Sequence, residues 1–193
     1  MGLDRLNSLT DGVLGFAMTL LVLNVNVPEG HDFSEQGVLQ FLAGLERDVV
    51  IYAASFFLIA RYWIEHHLIF HFIRYVSRAV VWLSFLFMFF VTMLPFATKL
   101  KGAYKDDAVV AAIFGAVHSG CWLSLLAVWR YAVSQPELMN PHLDSVMTGR
   151  ITRRLCLGPF VILAAVGLSY VDIRLGNFEF LTIPLIYLFQ LRV

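Results

Sequence analysis

Charged residues are scarce in this sequence. Its 193 residues include 14 basic and 14 acidic side chains, or 15%, against roughly 25% in a typical soluble domain. Hydrophobic residues make up 59% of the chain. A soluble domain with this composition would leave much of its apolar surface in water, where exposed patches promote aggregation. The predicted fold class is therefore an all-α integral membrane protein.

The charge balance and the low cysteine count exclude further classes. A net charge of zero gives no sign of a nucleic-acid partner, because such partners are bound by basic surfaces. Cys121 and Cys156 lie inside apolar runs, so we expect neither a disulfide framework nor a zinc site of the CxxC type. No metal and no cofactor are expected.

The apolar runs predict six transmembrane helices. Since a hydrocarbon core of ~30 Å needs about 20 residues, the second and sixth are the weaker predictions. The apolar part of the second, 49–60, is short and flanked by charges, and the sixth carries Glu179 and Pro184. Five spans remain an alternative. In the preferred interpretation, residues 1–193 form a single domain with helices at about 5–27, 36–72, 79–98, 108–129, 155–171 and 177–191.

The distribution of Lys and Arg predicts the orientation, because cytoplasmic loops carry an excess of both. Six spans with a cytoplasmic N-terminus place nine basic residues inside and five outside, so both termini are predicted to be cytoplasmic. A signal peptide is the competing interpretation, but the segment before Pro28 has only Arg5 as a basic residue and no small-residue cleavage site. The inside set is Arg5, Arg61, Arg74, Arg78, Arg130, Arg150, Arg153, Arg154 and Arg192, and the outside set is Arg47, Lys99, Lys101, Lys105 and Arg174.

Ionisable residues within the predicted helices are functional candidates, because such groups are costly in hydrocarbon. The first helix carries Arg5, Thr10 and Asp11 near its start. Arg5 and Asp11 lie about 240° apart around the helix axis, so they cannot pair on one face. Each either sits at the headgroup level or contacts another helix.

A second polar cluster lies at the end of the second helix. Within it, His67 and His71 are four residues apart, a spacing that metal ligands use, but no third ligand stands at a recognisable spacing. Hydrogen bonding between helices is the favoured role, and pH sensing is an alternative. His118 is likewise interpreted as an interhelix partner. The cluster consists of Arg61, Trp63, Glu65, His66, His67 and His71.

One stripe of the first helix carries Phe16, Thr19, Leu20 and Leu23, which follow the i, i+3, i+4, i+7 pattern of a shared face. By itself such a stripe indicates a packing seam, in which the Thr19 hydroxyl bonds back to a carbonyl one turn earlier. The sequence has no TVGYG filter and no acidic ring within a span. Any ion selection would therefore come from side chains and a narrow apolar constriction.

The segment 5–23, RLNSLTDGVLGFAMTLLVL, resembles the first-helix signature of the lysosomal potassium leak channels and their bacterial single-repeat relatives. That signature has an Arg, then Phe-Ser-Asp, then a Thr-Leu-Leu-Val-Leu run. Three further blocks follow in order at 62–67, 81–85 and 94–98. The last two helices match only in hydropathy. The bacterial relatives imply a bacterial plasma membrane protein.

The resemblance implies a homotetramer of six-helix subunits, with a pore lined by the first helix. Phe16, Leu20 and Leu23 fall at the family's apolar constriction, and Thr19 falls at a threonine layer linked to potassium selectivity. Asp11 is expected to brace the first helix through His66 or His67. The motif and its structural support comprise Arg5, Thr10, Asp11, Trp63, His66, His67 and Trp82.

The sequence departs from the family pattern at three places, which comprise four residues. Leu9-Thr10 replaces Phe-Ser, Phe16 stands where Ile or Leu is usual, and Ser84 replaces an Asn. These changes bear on conductance and selectivity.

The predicted function is a potassium-permeable cation channel, with a potassium channel fold that lacks the TVGYG filter. Its partners are the lipid bilayer, identical subunits, and potassium with other monovalent cations as permeant ions. A proton-coupled secondary transporter, with Asp11 and the histidines as its relay, is the alternative, although paired repeats and broken helices are missing. A membrane enzyme is the least favoured of the three functions, because the sequence shows no recognisable nucleophile–base pair and no set of metal ligands.

Overall fold

The computed structural model describes residues 2–25, 35–104 and 107–171. These residues form an all-α structure. A 3₁₀ turn at Leu21–Asn24 continues the first helix, and a second one, Pro136–Leu138, lies between the last two helices. The helices are α1 (Leu3–Leu20), α2 (Glu35–Gly44), α3 (Glu46–His71), α4 (Arg78–Ala103), α5 (Ala108–Val133) and α6 (Ser145–Val171).

The prediction of one continuous second helix over 36–72 is wrong. This segment forms two helices, because the chain turns at Leu45 between α2 and α3. The Leu45 amide donates to the carbonyl of Leu42 at 3.2 Å, a bond three residues back that tightens the last turn of α2. Gly44, a poor helix former, stands just before the break.

Two other predicted boundaries change. Pro95 lies inside α4, which continues to Ala103 instead of ending near 98. The helix predicted at 155–171 begins earlier, at Ser145, since an Asp144 carboxylate oxygen accepts the Met147 amide at 2.6 Å and caps α6. The sixth predicted helix, 177–191, lies outside the described residues.

Within the described ranges, four helical segments are long and apolar enough to cross a membrane. The 26 residues of α3 extend over ~39 Å, but this helix has more polar groups and is not among the four. The protein is thus an all-α membrane protein with four candidate spans in the described ranges. They are Leu3–Asn24, Arg78–Ala103, Ala108–Val133 and Ser145–Leu168.

The core lies where α4 packs on α5 and α5 packs on α6, with α1 against α3 and α4. Trp122, Trp129, Tyr62 and Phe87 are its largest fully buried side chains. Gly158 of α6 lies against the ring of Trp122, where a Cβ would collide with the indole. The glycine therefore allows α6 to approach α5 closely.

The loops at one end of the bundle are tied together. The Arg74 amide donates to the carbonyl of Leu138 at 2.7 Å, and the Asn140 amide donates to that of Phe72 at 2.8 Å. Five helix ends meet there: the starts of α1, α4 and α6 and the ends of α3 and α5. We call this the basic end, because six of the nine arginines predicted to share one side lie at or near these helix ends, whereas Arg61 and Arg154 lie about ten residues inside α3 and α6. The ninth, Arg192, is outside the described residues.

Candidate functional site

The first helix has a buried face and an exposed face. Leu6, Thr10, Leu14 and Ala17 are buried against the rest of the chain. On the opposite side, Phe16 is 72% exposed, Leu23 66% and Leu20 46%, and Thr19 is also exposed. All four residues of the predicted stripe are therefore exposed, and Leu23 among them lies in the 3₁₀ turn that continues α1. We call them the α1 stripe.

Thr19 uses its hydroxyl proton within the helix. Its Oγ1 donates to the carbonyl oxygen of Phe16 at 2.9 Å, which confirms the predicted bond to the preceding turn. A hydroxyl has one proton and two acceptor lone pairs. The lone pairs of Thr19 therefore remain available on the exposed face, where they are able to coordinate a cation.

The far end of the first helix is attached to α4. After Leu20 the chain tightens into the 3₁₀ turn and becomes extended at Val25. Asn24 Nδ2 donates to the carbonyl oxygen of Pro95 at 2.9 Å. This bond holds the end of the α1 stripe at a fixed place beside α4.

The middle of the first helix is attached to α3 and α4. Asp11 Oδ1 accepts a hydrogen bond from Trp63 Nε1 at 2.8 Å, and the Trp63 ring stacks on His67 with centroids 5.5 Å apart. Thr10, one residue earlier, is buried, donates to the carbonyl of Leu6 at 2.9 Å and contacts Met88 of α4.

The prediction that His66 or His67 is the partner of Asp11 is wrong, because the hydrogen-bond donor to Asp11 is the indole of Trp63. His66 is buried and stacks on Phe70 and Phe87, with centroids 4.1 and 5.8 Å away. Neighbouring residues on a helix point about 100° apart, so His66 faces the core while His67 is exposed.

The remaining predicted support residues, Arg5 and Trp82, lie outside the group formed by Asp11, Trp63 and His67. Both are exposed, and the Trp82 ring lies beside Phe85, with centroids 6.1 Å apart.

A buried charge cluster joins α3 to α6. Glu65 is fully buried; its Oε1 accepts from Arg154 Nε at 2.5 Å and also pairs with Arg61, one turn earlier on α3. Pairing with two guanidinium groups reduces the cost of burying this carboxylate. Sequence reasoning had placed Arg61 and Glu65 in one polar cluster but missed Arg154, which is 89 residues from Glu65.

A second contact joins α3 to α5. The Tyr62 hydroxyl and His118 Nδ1 are 2.7 Å apart, and both side chains are buried. The predicted role of His118 as an interhelix partner is confirmed.

The described ranges contain no group of three or more His, Cys, Asp or Glu residues arranged to hold a metal ion. Of the two histidines at metal-ligand spacing, His67 stacks on Trp63 and His71 packs edge-on against Phe72. Cys121 and Cys156 are free thiols.

Comparison with known proteins identifies the family. A family model described as the endosomal/lysosomal potassium channel TMEM175 matches residues 5–95. A potassium channel of Chamaesiphon minutus is 30% identical over 178 residues, which cover 89% of this chain and 86% of that protein. The chain belongs to the TMEM175 potassium channel family. Another TMEM175-like relative, a potassium channel of Streptomyces collinus, is 29% identical over 172 residues, or 87% of this chain and 82% of that protein.

The fold agrees with TMEM175 membership. The crystal structure of a lysosomal potassium-selective channel TMEM175 homolog from Chamaesiphon minutus superposes with a TM-score of 0.83. The match covers 99% of this chain and 98% of that one at 24% sequence identity. Membership confirms the resemblance seen in the sequence and places the chain among multi-pass membrane channels and not among enzymes.

Proposed function

We propose that this TMEM175 protein is a potassium-permeable cation channel whose pore is lined by α1 of four identical subunits. The observation that carries this proposal is the α1 stripe, where bulky apolar side chains and one hydroxyl stay exposed on a helix whose other face is buried. One such helix cannot enclose a pathway, whereas four copies around a closed symmetry axis can do so. The relatives named above are potassium channels.

In this channel, Phe16, Leu20 and Leu23 form successive apolar rings. A narrow apolar constriction excludes water and so closes the pathway to hydrated ions. Phe16 adds an aromatic ring where the family usually carries Ile or Leu, so the first ring is bulky. The bond from Asn24 to Pro95 keeps the ring at Leu23 in place.

Thr19 supplies the polar layer between the apolar rings. Its proton is donated to the carbonyl of Phe16, so each subunit presents a hydroxyl oxygen. Four such oxygens replace part of the hydration shell of an ion. Because few ligands coordinate the ion weakly, selectivity for potassium over sodium is expected to be modest.

The basic end faces the cytoplasm in the proposed orientation. The plasma membrane of a bacterial cell is the proposed location, with both termini inside and six spans per subunit, including 177–191. An excess of arginine at the basic end supports this, since cytoplasmic loops carry more Lys and Arg.

The proton-coupled transporter is disfavoured by the contacts of Asp11. Within the structure, Asp11 is linked to His67 through the Trp63 indole. An indole N–H is a donor only and cannot accept a proton. These three residues therefore serve as a brace and not as a proton path.

Reconstitution into potassium-loaded liposomes tests the proposal. A channel passes potassium down its gradient without a second ion, whereas a coupled transporter needs a proton gradient. The native mass of the protein in lipid is the companion measurement. Four subunits with uncoupled flux support the proposal, and one or two subunits, or flux only under a proton gradient, contradict it.

A further inference from the structure

The outer face of α6 combines charge with exposed apolar side chains. Arg150 and Arg153, near the start of the helix, are exposed, and apolar residues continue the same face at intervals of three or four. Phe160 is 71% exposed and Leu168 47%. The buried residues of α6, among them Leu155 and Ile162, point the opposite way. We call this face the α6 stripe: Arg150, Arg153, Leu157, Phe160, Ala164 and Leu168.

The two arginines of the α6 stripe are available for an anion. No salt bridge joins Arg150 or Arg153 to a carboxylate in the described ranges, whereas the next residue, Arg154, is paired with Glu65. The acidic side chain just before α6, Asp144, is used to cap the helix. Two guanidinium groups on adjacent turns therefore face outward without a carboxylate to neutralise them.

A third exposed arginine lies on the neighbouring helix, α5. Trp129 Nε1 donates to Thr152 Oγ1 at 2.9 Å, which holds the end of α5 beside the start of α6. Arg130 follows Trp129 directly and is exposed. Positive charge is thus concentrated where the α6 stripe meets the basic end.

We propose that the α6 stripe binds an anionic phospholipid, with the phosphate on Arg150 and Arg153 and an acyl chain along Leu157, Phe160 and Leu168. Guanidinium groups bind phosphate oxygens in pairs of parallel hydrogen bonds. From Arg153 to Leu168 the helix rises ~22 Å, which exceeds the ~15 Å depth of one leaflet, half of a ~30 Å core. Charge and length both match a lipid with a net negative headgroup. The site is separate from the proposed pore and does not depend on conduction.

Native mass spectrometry of the purified protein tests this site. The probes are phosphatidylglycerol and phosphatidylcholine with identical acyl chains, so only the headgroup charge differs. The test variant is Arg150→Gln/Arg153→Gln. The control is Arg74→Gln/Arg78→Gln, which removes the same charge from the same end of the bundle but away from the α6 stripe.

We expect the test variant to bind phosphatidylglycerol about 30-fold more weakly than the parent protein, because each basic group contributes roughly fivefold to the affinity and two are removed. Binding of phosphatidylcholine should be unchanged. The control should lose less than about threefold. All four substituted arginines are exposed, so both variants should unfold at the temperature of the parent protein.

Four results would overturn the proposal. Equal losses in the two variants would mean diffuse attraction to the basic end. Equal binding of the two lipids by the parent protein would mean an apolar contact only. Displacement of phosphatidylglycerol by soluble glycerol phosphate at equal concentration would mean a site for free phosphate. A changed subunit count in the test variant, with unchanged lipid binding, would mean that the stripe contacts a second copy of the chain.

Discussion

Trp63 Nε1 donates a 2.8 Å hydrogen bond to Oδ1 of Asp11 and thereby joins α3 to the middle of α1. The two side chains are 52 residues apart in sequence. A hydrogen bond to a charged group stabilises by roughly 1.5–3 kcal/mol when both groups are buried, and both of these residues are exposed. The contact therefore orients α1 more than it stabilises the fold.

This contact gives the first prediction. Trp63→Phe removes the indole donor and keeps an aromatic ring, so we expect a loss of about 1 kcal/mol or less in the free energy of unfolding and a lower yield of assembled protein. Thermal unfolding and native mass measure the two effects. The matched control is Trp82→Phe, because the Trp82 ring is 73% exposed and lies outside the Asp11 group. An equal effect of both substitutions would argue against the brace.

The second prediction concerns the apolar rings. Phe16→Asn or Leu23→Asn places a polar amide in the constriction, so we expect a higher basal potassium leak from liposomes, because the polar group hydrates the closed pathway. Val22 is the control. It is 53% exposed but points about 120° away from Leu23 around the 3₁₀ turn that holds both residues. If Val22→Asn leaks as much as Leu23→Asn, the pore face is assigned wrongly.

The third prediction concerns the Thr19 layer. Thr19→Val is nearly isosteric and removes the coordinating oxygen, so the preference for potassium over sodium should fall while the pathway keeps its width. Thr19→Ser retains the hydroxyl and should keep most of the preference. Bi-ionic flux or reversal potentials in the liposome system measure the ratio. A potassium/sodium ratio that is the same in the Val variant and the parent protein would place selectivity elsewhere.

The fourth prediction concerns the buried carboxylate of Glu65. Glu65→Gln leaves Arg61 and Arg154 near an uncharged amide, so we expect destabilisation of about 3–5 kcal/mol, the usual cost of breaking a buried pair. Chemical unfolding of the purified protein measures this loss in the free energy of unfolding.

A double mutant tests whether the two side chains act as a pair. The destabilisation caused by Glu65→Gln should be smaller in a protein that already carries Arg154→Met, by a coupling energy of about 0.5–3 kcal/mol. Arg153→Met, on the exposed neighbour, should change stability by about 0.5 kcal/mol or less. Additive effects of Glu65→Gln and Arg154→Met would show that the two side chains do not act as a pair.

The sequence alone determined the membrane class, most of the helices and the composition of the α1 stripe. These properties are local: a span needs a sufficient apolar run, and a helical face follows from the spacing of neighbouring residues. The early start of α6 was also within reach, since Asp144 is a typical capping residue. The family resemblance rested on an ordered set of short motifs, of which the first covers most of α1 and continues into the 3₁₀ turn.

Only the tertiary structure decided which polar groups meet. It paired Asp11 with Trp63 instead of a histidine, Glu65 with Arg154, Tyr62 with His118 and Asn24 with the carbonyl of Pro95. The partners stand far apart in the chain, and a residue of the same type can stand directly beside the one that pairs, as Arg153 does beside Arg154. A rotation of about 100° per residue separates such neighbours, so the packing of the helices determines which of them reaches the partner.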